Sequence, residues 1–229
     1  MGLHDPRSYG SGNPGATNVL RSGSKVAAVL TLLLDALKGL IPVLVVKTWG
    51  PQWGLGDGAL ALVALGAFVG HLFPVFFGFK GGKGVATALG VLLGISGWLG
   101  LIVLGIWLVV AFVSRYSSMA ALLASLGAPV AYLILDGSLW SVETPLLVAI
   151  MVMAALLVWR HRENIGRLIR GEESQIGGSK KEKQPVKPAL TIRKTKPKAA
   201  PKNAAQVMAE MGAKAERKPR STKKNKHKK

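Results

Sequence analysis

Five long apolar stretches dominate the first 160 residues of the chain, and short polar segments separate them. A helix needs roughly 20 mostly apolar residues to cross the hydrocarbon core of a bilayer. The stretches cover residues 26–46, 59–77, 85–113, 119–135 and 145–159. They leave too little polar surface for a protein that is surrounded by water. The pattern therefore predicts an all-α polytopic membrane protein.

The stretch over 85–113 is too long for one ordinary span and contains three glycines near its middle. Lys and Arg favour the cytoplasmic ends of spans, and the connections 48–58 and 136–144 contain neither residue. If every basic connection is cytoplasmic, the long stretch must enter the membrane and return, with a break near 95–100. This gives six passes with both chain ends inside. One long tilted helix is the alternative, but it would place Arg115 and the basic C-terminal segment outside.

The charge of the chain is concentrated at its C-terminal end. The 229 residues are 49% hydrophobic and carry a net charge of +19, and residues 160–229 hold 22 Lys and Arg against 6 Asp and Glu. From 174 onward the sequence is rich in Lys and Pro and poor in large apolar residues, which predicts disorder. We expect a membrane domain over 1–173 and a disordered basic tail over 174–229. The tail should lie on anionic lipid headgroups, and no specific nucleic-acid partner is expected.

The absence of cysteine excludes a Cys nucleophile, a disulfide scaffold and a zinc–thiolate site. The chemistry is instead concentrated in three polar segments between the apolar stretches. The first, SYGSGNPGATNVLR at 8–21, combines glycines with amides and ends on an arginine. Glycine permits backbone conformations that expose amide groups to an anion, and Arg21 supplies a bidentate donor. A capped loop before a helix is the alternative interpretation.

The second segment, FKGGKGVAT at 79–87, surrounds Lys83 with glycines directly before a predicted helix. Backbone amides at a helix N-terminus and a neighbouring lysine form an anion site. The spacing does not match the Walker A pattern, so an NTPase is not expected. Lysines that serve only to orient the membrane helices are the alternative.

The third segment is RHRENIGRLIRGEE at 160–173, and helical spacing places its Arg160, Asn164 and Arg167 roughly on one face. A basic helix end at the membrane interface is the simpler interpretation. Inside the apolar stretches, Asp35 and Lys38 are spaced to neutralise each other. His71 precedes the second segment by about two turns. It is either a packing residue or part of a site.

Together these segments predict a cationic, glycine-lined cleft at one membrane interface, suited to phosphorylated small molecules beside an acyl chain. A transporter or channel for phosphorylated metabolites is the second hypothesis, although few polar residues reach mid-membrane to line a path. A membrane anchor whose basic tail recruits nucleic acid is the third. Deleting 174–229 separates the third hypothesis from the others, because an enzyme should survive the deletion.

Three ordered motifs resemble the bacterial acyl-phosphate:glycerol-3-phosphate acyltransferases, the PlsY family. They are GSGNPGATNVLR at 10–21, followed by D-x-x-K-G at 35–39, then GHLFPVFFGFKGGKGVAT at 70–87 and RHRENIGRLIRGEE at 160–173. The resemblance implies a seven-helix membrane bundle with a cytoplasmic active site. Family members begin with an apolar helix that has no counterpart here, since Met1 lies nine residues before Gly10. We expect a misplaced start, with true absence of the helix as the alternative.

The resemblance implies acyl transfer from acyl phosphate to the 1-hydroxyl of glycerol 3-phosphate, in the bacterial inner membrane and without a cofactor. The products are lysophosphatidic acid and phosphate. Phosphate handling is assigned to Ser11, Asn13, Arg21 and Lys83, with His71 and Asn164 orienting substrate. Candidate catalytic residues are Ser11, Arg21, Lys83, His71 and Asn164, and candidate substrate-binding residues are Gly10, Gly12, Asn13, Asn18, Lys80, Gly81, Gly82, Gly84, Ser118, His161 and Arg167.

Overall fold

The computed structural model describes residues 4–177, which belong to one compact unit. Most of the predicted tail, residues 178–229, therefore lies outside the described residues. The described chain is helical, as predicted. Its α-helices are α1 (Ala16–Leu20), α2 (Lys25–Trp49), α3 (Asp57–Leu72), α4 (Val85–Ile95), α5 (Gly97–Ser114), α6 (Ser117–Ile134), α7 (Thr144–Arg160) and α8 (Arg162–Ile169), and short 3-10 helices cover Pro6–Ser8, Gly50–Trp53 and Val75–Phe77.

Each predicted apolar stretch is helical, and the long stretch over 85–113 is broken as expected. The break falls at Ser96, between the end of α4 and the start of α5. Its hydroxyl accepts a hydrogen bond from the Leu99 N–H and so caps the second helix. Four helices of the described chain, α2, α3, α5 and α6, are long and apolar enough to cross a membrane on their own. The count of six passes stays a prediction, because α4 is short and α7 continues into α8 only through a bend of 56°.

Helices α2 and α4 run parallel and are packed closely along glycines. A Cβ atom on Gly39 would overlap the Thr87 carbonyl oxygen, and one on Gly90 would overlap the Ala36 carbonyl oxygen. One turn further on, a Cβ on Gly94 would lie 2.7 Å from Val43 Cγ1. Small residues at such contacts allow two membrane helices to approach closely. This contact fixes the start of α4, and therefore the loop before it, against α2.

We expect Gly90→Ala to destabilise the protein, because its new methyl group would meet backbone rather than a movable side chain. Overpacking of this kind costs about 1–3 kcal/mol. Gly105→Ala in α5 is the matched control, since no atom lies within 4 Å of the added Cβ and Ala favours helix. Thermal unfolding in detergent should show a lower melting temperature for Gly90→Ala only. Equal melting temperatures for both variants would contradict the close α2–α4 contact.

The buried core lies where the helices face one another, and large apolar side chains cover the outside. Phe68, Leu72, Val91 and Leu99 are fully buried, whereas α5 exposes 87% of Phe112. Apolar side chains exposed over whole helix faces are typical of lipid contact. Successive helices alternate in direction, so the starts of α2, α4 and α6 and the ends of α3, α5 and α7 meet at one end of the bundle. All three polar segments lie at this end.

Candidate active site

The first polar segment is a loop that is organised around the buried side chain of Asn18. Its Nδ2 donates to the carbonyl oxygens of Pro6 (2.7 Å) and Tyr9 (3.2 Å), and its Oδ1 accepts from the Ser11 N–H at 2.9 Å. Gly10 has a φ of 61°, and a Cβ there would overlap Asn18 Oδ1 and lie 3.2 Å from Arg21 Cδ. Asn18 thus shapes the loop and leaves Ser11 exposed. Its predicted contact with substrate stays a prediction.

The first loop is also tied to the second polar segment. The guanidinium carbon of Arg7 lies 5.3 Å from the centre of the Phe77 ring, a cation–π contact. Phe77 ends the short 3-10 helix directly before the glycine–lysine loop. Two segments separated by a membrane hairpin are therefore neighbours at the same end of the bundle.

The glycines of the second segment let its backbone lie directly on the end of α3. The Gly81 N–H donates to the Leu72 carbonyl oxygen at 3.2 Å. A Cβ on Gly81 would overlap the His71 carbonyl oxygen, and one on Gly82 would overlap the His71 imidazole at Nε2. Gly84 has a φ of 83° and precedes α4 directly. The loop therefore presents Lys83 at the N-terminus of α4, as the sequence predicts.

Arg160 holds the second loop from the opposite side. Its Nη2 donates to the carbonyl oxygens of Gly81 and Gly82, both at 2.9 Å, and its Nε donates to Gly82 at 3.2 Å. The guanidinium carbon lies 5.9 Å from the ring centres of Phe73 and of Trp159. Arg160 is thus a positioning residue for the loop. The sequence predicts Arg160 only as a cation of the third segment. Its spacing carries no information about two carbonyl acceptors about 80 residues away.

The expectation that Arg160, Asn164 and Arg167 share one helical face is wrong. Helix α7 ends at Arg160 and α8 begins at Arg162, with a bend of 56° between them. The buried His161 lies at the bend, and its Nδ1 lies 2.8 Å from the Leu157 carbonyl oxygen. The strongly amphipathic α8 turns away from the span, which is the orientation of a helix that follows the membrane interface. Arg160 therefore faces the loop, while the other two residues face Lys83 and Glu173.

Lys83 and Asn164 join the second and third segments directly. The Lys83 ammonium donates to Asn164 Oδ1, and Asn164 Nδ2 donates to Glu173 Oε1 at 2.5 Å. Arg167 Nε donates to the other oxygen of Glu173 at 2.7 Å. The Ser118 hydroxyl faces the same carboxylate, without a hydrogen bond of normal geometry in the described part of the chain. Residues from the second and third segments and from α6 therefore meet in one polar cluster.

The charges of this cluster act on one another. Burial lowers the pKa of Lys83 to about 8, and repulsion from Arg167 and Arg21 contributes, while Glu173 and Glu163 oppose the shift. For Glu173, burial alone would raise the pKa, but Ser118, Asn164 and Arg167 around it lower the pKa below its usual value. Arg21 of the first loop is thus close enough to Lys83 to act on its charge. Lys83, Arg167 and Glu173 form the charged part of the cluster, and Arg21 acts on it from the first loop.

A second polar group lies between α2 and α3, next to the glycine loop. Asp35 Oδ1 lies 2.7 Å from Lys38 Nζ and 3.6 Å from His71 Nδ1. The Thr87 hydroxyl of α4 donates to the Asp35 carbonyl oxygen at 2.9 Å. The predicted Asp35–Lys38 pair is confirmed. His71 joins this pair on one side and meets Gly82 on the other, so it is linked to the loop rather than isolated on an apolar face.

The other candidate residues differ in how far they are exposed to solvent. Ser11 and Lys80 are exposed, whereas Asn13 and Arg21 are half-buried and Ser118 and His161 are buried. The glycines Gly10, Gly12 and Gly84 adopt positive φ. Nothing in the described chain contradicts a role for any of these residues in a site, and the assigned roles stay predictions. Glu173 lies at the centre of the polar cluster, where it accepts hydrogen bonds from both Asn164 and Arg167.

Fold and site together define a multi-pass membrane protein with a cluster of cationic side chains at one end of its helix bundle. The family model described as glycerol-3-phosphate acyltransferase matches residues 1–171. The chain is similar to two curated glycerol-3-phosphate acyltransferases. It is 58% identical to the one from Paraburkholderia phytofirmans, over 82% of this chain and 86% of the relative. It is 56% identical to the one from Albidiferax ferrireducens, over 77% of this chain and 79% of the relative.

Solved structures of PlsY (YgiH), an integral membrane glycerol 3-phosphate acyltransferase, are also similar. The glycerol 3-phosphate form has a TM-score of 0.69, 41% identity, and coverage of 77% of this chain and 84% of the other. The lysophosphatidic acid form has a TM-score of 0.65, the same identity, and coverage of 72% and 80%. The chain therefore belongs to the glycerol-3-phosphate acyltransferase family, which confirms the resemblance that its three motifs carry.

Proposed function

We propose that the protein transfers a fatty acyl group from acyl phosphate to the 1-hydroxyl of glycerol 3-phosphate, forming lysophosphatidic acid and phosphate. The observation that carries the proposal is the Lys83–Asn164 contact, which joins the second and third polar segments, and the charge of Arg21 in the first segment acts on Lys83. It supports one pocket that is built from three distant segments. Family membership favours this enzyme over a transporter or a nucleic-acid anchor.

The pocket meets the main physical difficulty of this reaction, which is to hold two anions close together. Lys83, Arg21 and Arg167 would neutralise the two phosphate groups, and the glycine loop at the start of α4 offers backbone N–H donors. Holding both reactants in one place lowers the entropic part of the barrier. Fixed cations also stabilise the negative charge that develops on the leaving phosphate.

The reaction step follows from the chemistry of the mixed anhydride. The hydroxyl oxygen of glycerol 3-phosphate attacks the acyl carbonyl carbon, and a new C–O ester bond forms. The bond between that carbon and the phosphate oxygen breaks, and phosphate leaves with its electron pair. The hydroxyl proton passes to the departing phosphate. An acyl phosphate is already activated, so this step requires no coenzyme A, nucleotide or metal.

His71 and Asn164 would orient the reactants rather than exchange protons. Asp35 lies against His71 Nδ1, so its carboxylate holds the ring against the glycine loop. Asn164 is fixed by Lys83 on one side and by Glu173 on the other. We place the active site on the cytoplasmic side of the bacterial inner membrane, because the flanking positive charge favours that side.

The direct test is an assay of the purified full-length protein with radiolabelled glycerol 3-phosphate and one of two acyl donors. We expect labelled lysophosphatidic acid with palmitoyl phosphate and none with palmitoyl-CoA. Phosphate should be released in equal amount. Equal rates with both donors would contradict the proposed donor, and no product with either would contradict the proposed function.

The lowered pKa of Lys83 predicts a pH dependence of substrate capture. The ammonium is charged below about pH 8 and loses its proton above that pH, so kcat/KM for glycerol 3-phosphate should fall above about pH 8. A dependence of kcat/KM reports groups of the free enzyme. Bound phosphate stabilises the charged ammonium, so kcat at saturation should fall only at higher pH. A constant kcat/KM between pH 7 and pH 10 would contradict a charge role for Lys83.

A further inference from the structure

A cavity of about 440 Å³ lies at the end of the bundle opposite the candidate active site. The end of α2, the start of α3, the break between α4 and α5, the end of α6 and the start of α7 form its walls. Polar and aromatic side chains in these walls are Lys47, Asp57, Ser96, Tyr132, Trp140 and Glu143. None of these residues takes part in the proposed acyl transfer.

This end of the bundle is marked as a membrane interface by exposed tryptophans. Trp49 is 48% exposed, Trp53 66% and Trp98 60%, and all three lie at helix ends that border the cavity. Tryptophan concentrates at the level of the lipid headgroups. The cavity therefore lies at headgroup depth in the leaflet opposite the active site, where phospholipid headgroups are the most abundant neighbours.

The cavity offers charges of both signs. Lys47 Nζ donates to the Ile95 carbonyl oxygen at 2.6 Å, and an ammonium has three donors, so two remain for another acceptor. Asp57 and Glu143 are exposed carboxylates, and within residues 4–177 neither forms an ion pair with Lys47. The lining thus carries one more negative than positive charge, with its single cation available beside the carboxylates.

The aromatic wall is held rigidly and adds a hydroxyl donor. Trp140 Nε1 donates to the Tyr132 carbonyl oxygen at 2.8 Å, and the two rings stack with centres 5.8 Å apart. The Tyr132 hydroxyl oxygen accepts from the Glu143 N–H at 3.1 Å. Within residues 4–177 the hydroxyl donates to no other group, so its hydrogen is available to a phosphate or ester oxygen in the cavity.

We propose that this cavity binds the headgroup of a phospholipid that carries a primary amine, of the phosphatidylethanolamine type. The ammonium would lie against Asp57 and Glu143, and the phosphate would accept hydrogen bonds from Lys47 and the Tyr132 hydroxyl. An anionic lipid without an amine would bring its negative charge to a lining that is already net negative. The quaternary amine of a choline lipid has no N–H to donate to the carboxylates.

The test uses the purified full-length protein in detergent and native mass spectrometry with phosphatidylethanolamine and phosphatidylglycerol of identical chains. We expect the wild type to retain the ethanolamine lipid about fivefold more than the glycerol lipid, the ratio expected from one partly exposed ion pair. Asp57→Asn combined with Glu143→Gln should remove the preference. Asp136→Asn, at the same end but outside the lining, should keep it, and acyl transfer should continue in all variants.

Equal retention of the two lipids by the wild type would overturn the proposal, whatever the variants do. An unchanged preference in the double variant would overturn it as well. Lys47→Gln provides a second variant if the double variant does not fold, and it should weaken retention of both lipids because both carry a phosphate. Unchanged retention in Lys47→Gln would exclude this cavity as the phosphate site.

Discussion

Replacing Lys83 with alanine should lower kcat/KM for glycerol 3-phosphate by about 100- to 1,000-fold, the usual cost of removing one preorganised donor to a developing anion. Lys83 lies at the start of α4 and contacts Asn164, so its loss removes a cation from the centre of the pocket. The fold should survive, because Arg160 holds the loop independently of Lys83. Steady-state kinetics and thermal unfolding of the purified variant provide the measurement.

Two variants separate this effect from a general loss of positive charge. Lys25→Ala removes an exposed lysine at the start of α2, at the same end of the bundle, and should retain near-normal activity. Lys83→Arg keeps the charge but changes its geometry, and we expect an intermediate rate. Near-normal turnover by a folded Lys83→Ala protein would remove Lys83 from the mechanism.

Replacing Arg21 with alanine should reduce kcat/KM by a similar factor, about 100-fold or more. Arg21 follows α1, its Cδ lies against Gly10, and it acts electrostatically on Lys83. It is the cation of the first loop whose repulsion contributes to lowering the pKa of Lys83. Truncating it leaves a phosphate without its bidentate partner, so KM for one of the two substrates should rise together with the loss in kcat.

Arg21→Lys is the informative partner of this variant, because it retains the charge without the planar pair of donors. We expect partial recovery of the rate relative to Arg21→Ala. Arg170→Ala serves as the control, since Arg170 pairs with the exposed Glu172 instead of the cluster. If Arg170→Ala and Arg21→Ala lowered the rate equally, the effect would come from surface charge and not from a specific phosphate contact.

Much of this fold can be predicted from the sequence because the bilayer imposes strong rules. Apolar length predicted the helices, and the distribution of Lys and Arg predicted the break that the structure places at Ser96. The glycines around Lys83 predicted a loop that leads directly into a helix, and α4 begins at Val85. These are local patterns, and each has one dominant physical cause.

The relations that the sequence could not reveal are those between distant residues. The bend at His161 depends on α8 turning away from the span, and no helix-breaking residue marks it. The clamp from Arg160 to the carbonyl oxygens of Gly81 and Gly82 involves backbone acceptors, which carry no sequence signal. The network through Glu173 likewise depends on the chain returning toward α6 after α8. Only the assembled bundle shows these contacts.

The proposed active site requires that the three polar segments meet at one end of the bundle. Because the chain has no cysteine, spin labels can be attached to introduced cysteines at chosen pairs. We expect a Ser22–Glu163 distance well below the thickness of the hydrocarbon core, which is about 30 Å. A Ser138–Glu163 pair, which joins opposite ends of the bundle, should give a distance at or above that thickness. A Ser22–Glu163 distance as long as that of the control pair would contradict the shared pocket.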